Sequence, residues 1–395
     1  GNGGILTLTG NNTYTGSTTI DQGATLALSG SGAIASSSMV YLNGTLDLNN
    51  NDAVTLNALT MSATGSAITN STNDSSSLTI LGTASLANTI TTGGSQTYNG
   101  AVTLVADTTI TAGNNITFNS TVDSDGDSTP RSLTINNGSN IINFNDALGS
   151  THALDALQIT GQGLINIGGD VTTVESQVYG FESLIYPYTY SGEINFAHNT
   201  RLNSNADIIF YSVIDGGISL NLNASHSIQF YGVVGYKSPL INLDLSSQYA
   251  VIDNNVTTTG RQNYNADLKI GDSRGRFIQL TSYQDEILFN GFIDDNTPAW
   301  TGVNNLFIWG HEVSFVKDVG FNSPLNYISV TALNAITIHG NISTRGDQEY
   351  ISDTLDLSSG PNLQGSTLRI EPYGNSPIYI GNDSSSFNVN DICLL

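Results

Sequence analysis

The chain has 395 residues, and only 11 % of them are charged, against about 25 % in an ordinary soluble domain. Its 33 acidic and 10 basic residues give a net charge of −23, which argues against nucleic acid and anionic membrane surfaces as partners, because both are bound mainly by Lys and Arg. The single cysteine, Cys393, excludes an internal disulfide.

The first residues are Gly-Asn-Gly-Gly, and no signal peptide opens the sequence, so we expect a segment of a longer protein. No apolar run reaches the roughly 18–20 residues that a membrane-spanning helix needs. We therefore expect no membrane insertion by this segment.

Residues 4–48 show the pattern that the rest of the chain follows. Short runs of alternating apolar and polar residues, such as LTL and LDL, are separated by Gly, Asn and Asp. Alternation with period two is typical of strands, and these separators are typical of turns. The abundant Asn, Ser, Thr and Gly disfavour helix, while 38 % of hydrophobic residues favours a packed core over disorder.

From residue 89 onward the chain repeats a unit of about 85 residues. A Gln-x-Tyr motif recurs at spacings of 81, 85 and 86 residues and begins at Gln96, Gln177, Gln262 and Gln348. Six residues before each glutamine stands a β-branched aliphatic residue: Ile90, Val171, Val256 and Ile342. We predict two regions, 1–88 and 89–395, and divide the second into copy 1 (89–170), copy 2 (171–255), copy 3 (256–341) and a partial copy 4 (342–395).

Each copy has room for about four coils of roughly 20 residues, a length typical of solenoid repeats. One coil cannot bury its apolar face alone, so stacked coils build a continuous core. We predict an all-β protein, a single, elongated, right-handed parallel β-helix, with the four β-branched residues pointing into the core. An antiparallel sandwich would not explain why the same columns recur.

Residues 4–48, GILTLTGNNTYTGSTTIDQGATLALSGSGAIASSSMVYLNGTLDL, resemble the passenger-associated repeat of autotransporter proteins. Residues 89–345, with TTGGSQTYNGAVTL and ITFNSTVD, resemble repeats of filamentous-haemagglutinin-like exoproteins. This resemblance implies a secreted or surface-tethered β-helical adhesin of a Gram-negative bacterium. It implies no catalytic residues.

The segment VDSDGDSTP lies in a loop insertion and places Asp123, Asp125 and Asp127 around Gly126. Carboxylates on a tight turn offer the hard oxygen ligands that Ca²⁺ prefers, so these residues are a candidate metal site. A bidentate Glu at the expected distance is missing, and a solvated acidic turn is the alternative. We expect no other cofactor.

A second insertion, ESLIYPYTYSGE, carries Tyr186, Tyr188 and Tyr190 at alternate positions. Aromatic side chains that point the same way can stack on the apolar faces of sugar rings. These tyrosines are candidate ligand-binding residues. The alternative is that they cap the core where a coil bulges.

Some β-helices degrade polysaccharides, and Asp294-Asp295 with His311 are the candidate acid and base groups for such a reaction. Asp294 occupies the same repeat column as Asp123 and Asp215, which favours a structural role. We therefore predict a protein that is not an enzyme. The expected partners are extracellular glycans or neighbouring cell-surface and adhesin molecules, and the expected function is cell adhesion, aggregation or biofilm contact. A structural spacer or self-assembling filament is the alternative.

Overall fold

The computed structural model of the chain describes residues 3–30, 32–35, 37–49, 51–72, 75–181, 192–271, 275–297, 303–374, 379–380 and 392–393. The regular elements in these ranges are all β-strands, and no helix occurs in them. Within the same ranges, therefore, no helix is long and apolar enough to cross a membrane. The chain divides into two compact units, unit 1 (Gly1–Asn205) and unit 2 (Ala206–Leu395).

Unit 1 contains short strands, mostly of three or four residues: β1 (Ile5–Leu8), β2 (Thr18–Ile20), β3 (Thr25–Leu28), β4 (Val40–Leu42), β5 (Thr45–Asp47), β6 (Ala53–Leu56), β7 (Leu59–Met61), β8 (Ala67–Thr69), β9 (Ser77–Ile80), β10 (Ala84–Thr92), β11 (Gln96–Tyr98), β12 (Val102–Ala112), β13 (Ile116–Phe118), β14 (Val122–Ser124), β15 (Leu133–Asn136), β16 (Ile142–Phe144), β17 (Leu157–Thr160), β18 (Leu164–Ile167), β19 (Val171–Thr173), β20 (Gln177–Tyr179), β21 (Glu193–Phe196) and β22 (Thr200–Ser204).

Strands of successive coils in unit 1 pair in parallel. Strand β11 pairs with β13, and β13 pairs with β16, so that Gln96, Ile116 and Ile142 are in register. On another face β10 pairs with β12, and β12 with β15. Each strand thus hydrogen-bonds to the strand one coil later, which is the arrangement of a β-solenoid.

Unit 2 contains longer strands as well as short ones: β23 (Asp207–Phe210), β24 (Val213–Asp215), β25 (Ser219–Ala224), β26 (Ser227–Phe230), β27 (Asn242–Ile252), β28 (Val256–Thr258), β29 (Gln262–Ile270), β30 (Phe277–Ser282), β31 (Ile287–Phe289), β32 (Ile293–Asp295), β33 (Asn305–Phe315), β34 (Tyr327–Ile338), β35 (Ile342–Ser343), β36 (Gln348–Ile351), β37 (Thr354–Asp356), β38 (Leu363–Gln364), β39 (Leu368–Glu371), β40 (Tyr379–Ile380) and β41 (Ile392–Cys393).

Parallel pairing between coils also builds unit 2. Strand β27 pairs with β29, and β29 with β31, which brings Leu243, Gln262 and Ile287 into register. Strand β33 pairs with β34 and β34 with β36 in the same way. The predicted all-β parallel solenoid is confirmed in both units. The repeat column Ile90, Val171, Val256 and Ile342 is fully buried, as predicted.

Aromatic residues stack along the interior of each unit. In unit 1 the rings of Tyr98 and Phe118 lie 4.8 Å apart at 7° to each other, and those of Phe118 and Phe144 lie 5.2 Å apart at 6°. Parallel strands place equivalent side chains of successive coils at nearly the same spacing, about 4.8 Å, so rings in one column stack face to face.

The Gln-x-Tyr motif forms a buried polar network that explains its recurrence. In copy 3 the Gln262 amide nitrogen donates to Thr258 Oγ1 at 3.2 Å and to the Thr281 carbonyl at 2.7 Å. The Tyr264 hydroxyl donates to Gln262 Oε1 at 2.7 Å. The same contacts recur in the other copies and centre on Gln96, Gln177 and Gln348. Because a buried polar group without a partner is costly, changing one residue of the motif alone would destabilise the fold.

The environment of these tyrosines is apolar apart from that network. Burial raises the pKa of the Tyr264 hydroxyl far above its ordinary value of 10.0, because the phenolate would lose its hydration. The hydroxyl therefore serves as a neutral hydrogen-bond donor to Gln262.

A repeated aspartate and a repeated glycine build one turn of the coil. Asp215 Oδ1 accepts hydrogen bonds from the backbone N–H groups of Lys237 at 2.9 Å and Ser238 at 3.2 Å. In the same turn Gly235 has φ +73°, and a Cβ there would lie 2.2 Å from the Thr257 carbonyl oxygen, which explains the glycine. The equivalent pairs are Asp123 with Gly149 and Asp294 with Gly320.

Candidate functional site

Five aromatic side chains lie together on the outer surface of unit 2, and we call them the aromatic ridge: Phe277, Tyr283, Phe307, Trp309 and Tyr327. Phe277 begins β30, and Tyr283 follows its end. Phe307 and Trp309 lie in β33, and Tyr327 begins β34. Successive side chains of a strand point to opposite faces, so the residues that flank the buried Ile278, Leu306 and Ile308 point outward.

The ridge is exposed to different extents along its length. Phe277 is 73 % exposed and Tyr283 is 49 % exposed. Phe307, Trp309 and Tyr327 are half-buried, because neighbouring coils pack against both sides of them. The ridge is therefore a contiguous aromatic surface and not a set of isolated rings.

The rings of the ridge are tilted against one another, unlike those of the interior. Phe277 and Phe307 have centroids 6.1 Å apart at 20°, and Phe307 and Tyr327 have centroids 5.4 Å apart at 48°. Tyr283 and Trp309 meet at 61° and 5.9 Å. Interior ring pairs differ by only 5–10°. The outward rings of copy 3 are therefore stacked less regularly than the interior ones.

A polar cluster borders the ridge on the next coils. Glu349 Oε2 accepts hydrogen bonds from the Tyr327 hydroxyl and from Ser329 Oγ, each at 2.9 Å. Arg369 lies 2.8 Å from Glu349 Oε1 and also pairs with Glu371. Partial burial and the hydrogen bond to Glu349 raise the pKa of the Tyr327 hydroxyl, which therefore remains a neutral donor.

The other copies show that the fold does not require this ridge. Buried residues next to the ridge allow the copies to be aligned. Ile110, Leu202 and Leu280 are equivalent because each pairs with a residue of the repeated β-branched column. Leu133, Leu220 and Leu306 are equivalent in the same way, because each pairs with a repeated buried aliphatic residue of the next coil. The positions equivalent to the ridge in copy 1 are Asp107, Gly113, Thr134, Asn136 and Ala156. In copy 2 all five are asparagine: Asn199, Asn205, Asn221, Asn223 and Asn242. The outer face of copy 3 is thus aromatic at positions that are small or polar in copies 1 and 2, while its interior follows the repeat.

The structure places the three aspartates of the predicted metal site in different contacts. Asp125 Oδ2 and Asp127 Oδ2 lie 3.1 and 3.2 Å from Arg131 Nη2. Asp123 Oδ1 instead accepts the Thr151 N–H at 2.8 Å. Partial burial acts to raise the pKa of Asp125, but the hydrogen bond and charge of Arg131 outweigh it and lower this pKa.

The described ranges contain no group of three or more His, Cys, Asp or Glu side chains arranged to hold a metal ion. Arg131 supplies positive charge to Asp125 and Asp127, and a bound Ca²⁺ would have to displace it. The calcium site stays a prediction.

Tyr186, Tyr188 and Tyr190 lie outside the described residues. Their predicted role in ligand binding stays a prediction. The aromatic ridge, which does lie in the described part of the chain, now offers a surface of the same chemistry.

The carboxylates weighed as an acid and base pair have separate tasks. Asp294 accepts the N–H groups of Asn322 at 2.9 Å and Ser323 at 3.1 Å, which is the turn contact of its repeat column. Asp295 is 3 % exposed and accepts hydrogen bonds from Thr297 and Asn304. As neighbours in β32 the two side chains point to opposite faces.

Sequence reasoning missed the ridge, although a signal for it was present. The runs FIQLTSY and NLFIWG alternate as strands do, and both carry aromatic residues at the positions that face outward in the other copies. Aligning the outward columns as well as the inward ones would have found them.

Comparison of the chain with protein family models, with curated proteins and with solved structures gives no match. The fold and the ridge define the class of protein: a repeat protein of the parallel β-solenoid type with a locally aromatic outer face. The predicted resemblance to autotransporter and filamentous-haemagglutinin repeats stays a prediction.

Proposed function

We propose that the chain is a non-catalytic segment of a secreted or cell-surface bacterial adhesin, in which the solenoid holds binding surfaces away from the cell. The observation that carries this proposal is the aromatic ridge. Its five side chains are exposed or half-buried on one copy and are replaced by small or polar residues in the other copies. A surface feature that the fold does not require is best explained by contact with a partner.

The interior supports the same proposal. Its repeated columns are occupied by packed apolar residues and by polar networks whose groups satisfy one another, as at Gln262 and Tyr264. These residues stabilise the solenoid and are buried from partners. A partner can therefore contact only the outward side chains, which can differ between copies without disturbing the packing of the coils.

The acidic composition narrows the partners to those without strong negative charge. A net charge of −23 repels nucleic acid and anionic lipid surfaces over roughly a Debye length. Weak binding sites give a higher overall affinity when many copies of a protein are displayed on one surface. After the first site has bound, the others are held at a high effective concentration near the ligand.

The experiment is a bead-adhesion assay with the whole chain coupled to inert particles. We expect these particles to bind to bacterial or host cells above the level of particles that carry a β-solenoid of unrelated sequence. The supernatant is assayed for newly released reducing ends in parallel. Adhesion no greater than that of the control particles would contradict the adhesin proposal, and released sugar would contradict its non-catalytic part.

A further inference from the structure

We propose that the aromatic ridge binds an extended, uncharged glycan chain whose sugar rings follow the direction in which the coils stack. This inference rests on the proposed function and names the ligand class for its binding surface. It is carried by the placement and exposure of the five rings and by the charges that surround them.

The ridge has the length and direction of a short oligosaccharide. Phe277, Phe307 and Tyr327 come from three successive coils, with centroid distances of 6.1 and 5.4 Å. Such a step is similar to the advance per sugar along an extended hexopyranose chain. Trp309 follows Phe307 by two residues along β33, or about 7 Å, and its contact with Tyr283 extends the ridge along the strands. The rings of Phe277, Phe307 and Tyr327 therefore form a path long enough for two or three sugars.

The exposed rings suit stacking against sugars. Phe277 is the most exposed ring of the five at 73 %, and Tyr283 follows at 49 %. The C–H-rich faces of hexopyranoses pack against such rings. Polar groups for the sugar hydroxyls stand close by, since Gln279 is exposed between Phe277 and Tyr283.

The local charges favour an uncharged ligand. Arg369 is the basic residue of the bordering cluster, and it is already paired with Glu349 and Glu371. Its positive charge is therefore compensated and would attract an anionic sugar only weakly. The two carboxylates add negative charge beside the ridge, and the chain as a whole carries −23. An anionic polysaccharide would be repelled, whereas a neutral one would not.

A second copy of the chain is a less suitable occupant. Two copies that meet at their ridges would bring two chains of charge −23, and two sets of Glu349 and Glu371, into proximity. This repulsion opposes association unless salt screens it. Self-association is therefore treated as an outcome that would overturn the proposal.

The test replaces the ridge by the residues of copy 2. The variant carries Phe277→Asn, Tyr283→Asn, Phe307→Asn, Trp309→Asn and Tyr327→Asn together, and its fold is checked by circular dichroism and thermal melting. Copy 2 already has asparagine at all five positions, so the substitutions are compatible with a coil of this kind. The matched control is Tyr236→Asn, which removes an aromatic residue that is 71 % exposed outside the ridge. Should the five-site variant unfold, Phe277→Asn alone serves, because that ring is 73 % exposed.

Binding is measured by titration calorimetry with neutral hexasaccharides of glucose, mannose and N-acetylglucosamine, and with hexagalacturonate as the anionic probe. In a Trp300→Phe background, Trp309 is the one remaining tryptophan of the chain and reports binding by its fluorescence. We expect at least one neutral probe to bind, the five-site variant to bind it about tenfold or more weakly, and Tyr236→Asn to bind it as the parent does.

Three results would overturn the inference. These are no binding of any neutral probe, equal or tighter binding of hexagalacturonate, and a parent chain that sediments as a dimer while the five-site variant is monomeric. If the coated particles still adhere to cells in any of these cases, the ligand class is wrong and the adhesin proposal stands. If they do not adhere, the proposed function fails as well.

Discussion

One outward column carries asparagines in copy 1 and tyrosines in copy 2. In copy 1 Asn119 Nδ2 donates to Asn99 Oδ1, and Asn145 Nδ2 donates to Asn119 Oδ1, each at 2.7 Å. In copy 2 the same column holds Tyr211 and Tyr231, whose rings stack at 5.0 Å and 7°. Both are ladders between successive coils, one of hydrogen bonds and one of aromatic rings.

The interiors of the two units differ much less. The ladder Tyr98, Phe118 and Phe144 in unit 1 is matched in unit 2 by Tyr264, Phe289 and Phe315, with ring distances of 5.2 and 5.1 Å and angles of 7° and 10°. The comparison teaches that the inward columns are constrained by packing and by buried hydrogen bonds, whereas the outward columns tolerate any side chain that stacks or is hydrated. Function can then be acquired by changing outward positions in one copy.

The largest loss of stability is expected from substitutions in the buried ring stacks, and it tests whether the interiors of the two units are equivalent. Phe118→Ala and Phe289→Ala each remove the middle ring of a buried stack, and we expect each to lower the free energy of unfolding by about 3–5 kcal/mol. Urea denaturation followed by circular dichroism measures both. If one substitution costs much less than the other, the interiors of the two units are not equivalent.

A smaller effect tests the buried polar network. Tyr98→Phe and Tyr264→Phe remove the hydroxyl that donates to Gln96 Oε1 or Gln262 Oε1. The glutamine oxygen then loses its donor in a buried site, and we expect a loss of about 1–3 kcal/mol in each case. The same denaturation experiment applies, with Tyr236→Phe as the exposed control. A loss no larger than in that control would show that the network is dispensable.

The outer ladders should respond unequally. Tyr231→Ala removes a half-buried stacked ring, and we expect it to cost about 1 kcal/mol. Asn119→Ala breaks two exposed hydrogen bonds, and we expect about 0.5 kcal/mol or less, because water replaces them. A thermal melt of each variant ranks the two. The reverse order would mean that the asparagine ladder stabilises copy 1 more than the stacked tyrosines stabilise copy 2.

The smallest loss of stability is expected for the ion pair between Asp125 and Arg131 in unit 1, and it should depend on pH. Because the pKa of Asp125 is lowered in the folded chain, its pairing with Arg131 stabilises the fold above the ordinary carboxyl pKa of 3.8. That contribution is lost as the pH falls through the lowered value. We expect Arg131→Gln to reduce the melting temperature slightly at pH 7 and to have no effect once the pH lies well below the lowered pKa of Asp125.

The control for that pair is the double variant Asp125→Asn with Arg131→Gln, compared with each single variant across the same pH range. Non-additive effects at neutral pH that become additive in acid would support the assigned contact. If Arg131→Gln lowers the melting temperature by the same amount at every pH, Arg131 acts by packing alone. Addition of millimolar Ca²⁺ in the same melts also tests the predicted metal site, because a bound ion would raise the melting temperature of the parent and not that of Asp125→Asn.

The amino-acid sequence by itself determined the strands, the period of the repeat and the inward columns. Ile90 and Val256 could be placed in the core without coordinates, because a solenoid of this period buries every residue that recurs as an aliphatic at one position. The same columns predict a structural role for Asp294, and its hydrogen bonds from Asn322 and Ser323 agree with that role.

Only the tertiary structure decided which outward residues meet. Phe277 and Phe307 are 30 residues apart in the chain, yet their ring centroids lie 6.1 Å apart, because the length of each turn sets which side chains of successive coils come into contact. The pairing of Arg131 with Asp125 and Asp127 likewise depends on how one loop folds back on itself. The inward residues recur in every copy, so the periodicity of the sequence predicts them. The outward residues differ between copies, and their contacts depend on the path of the chain between coils.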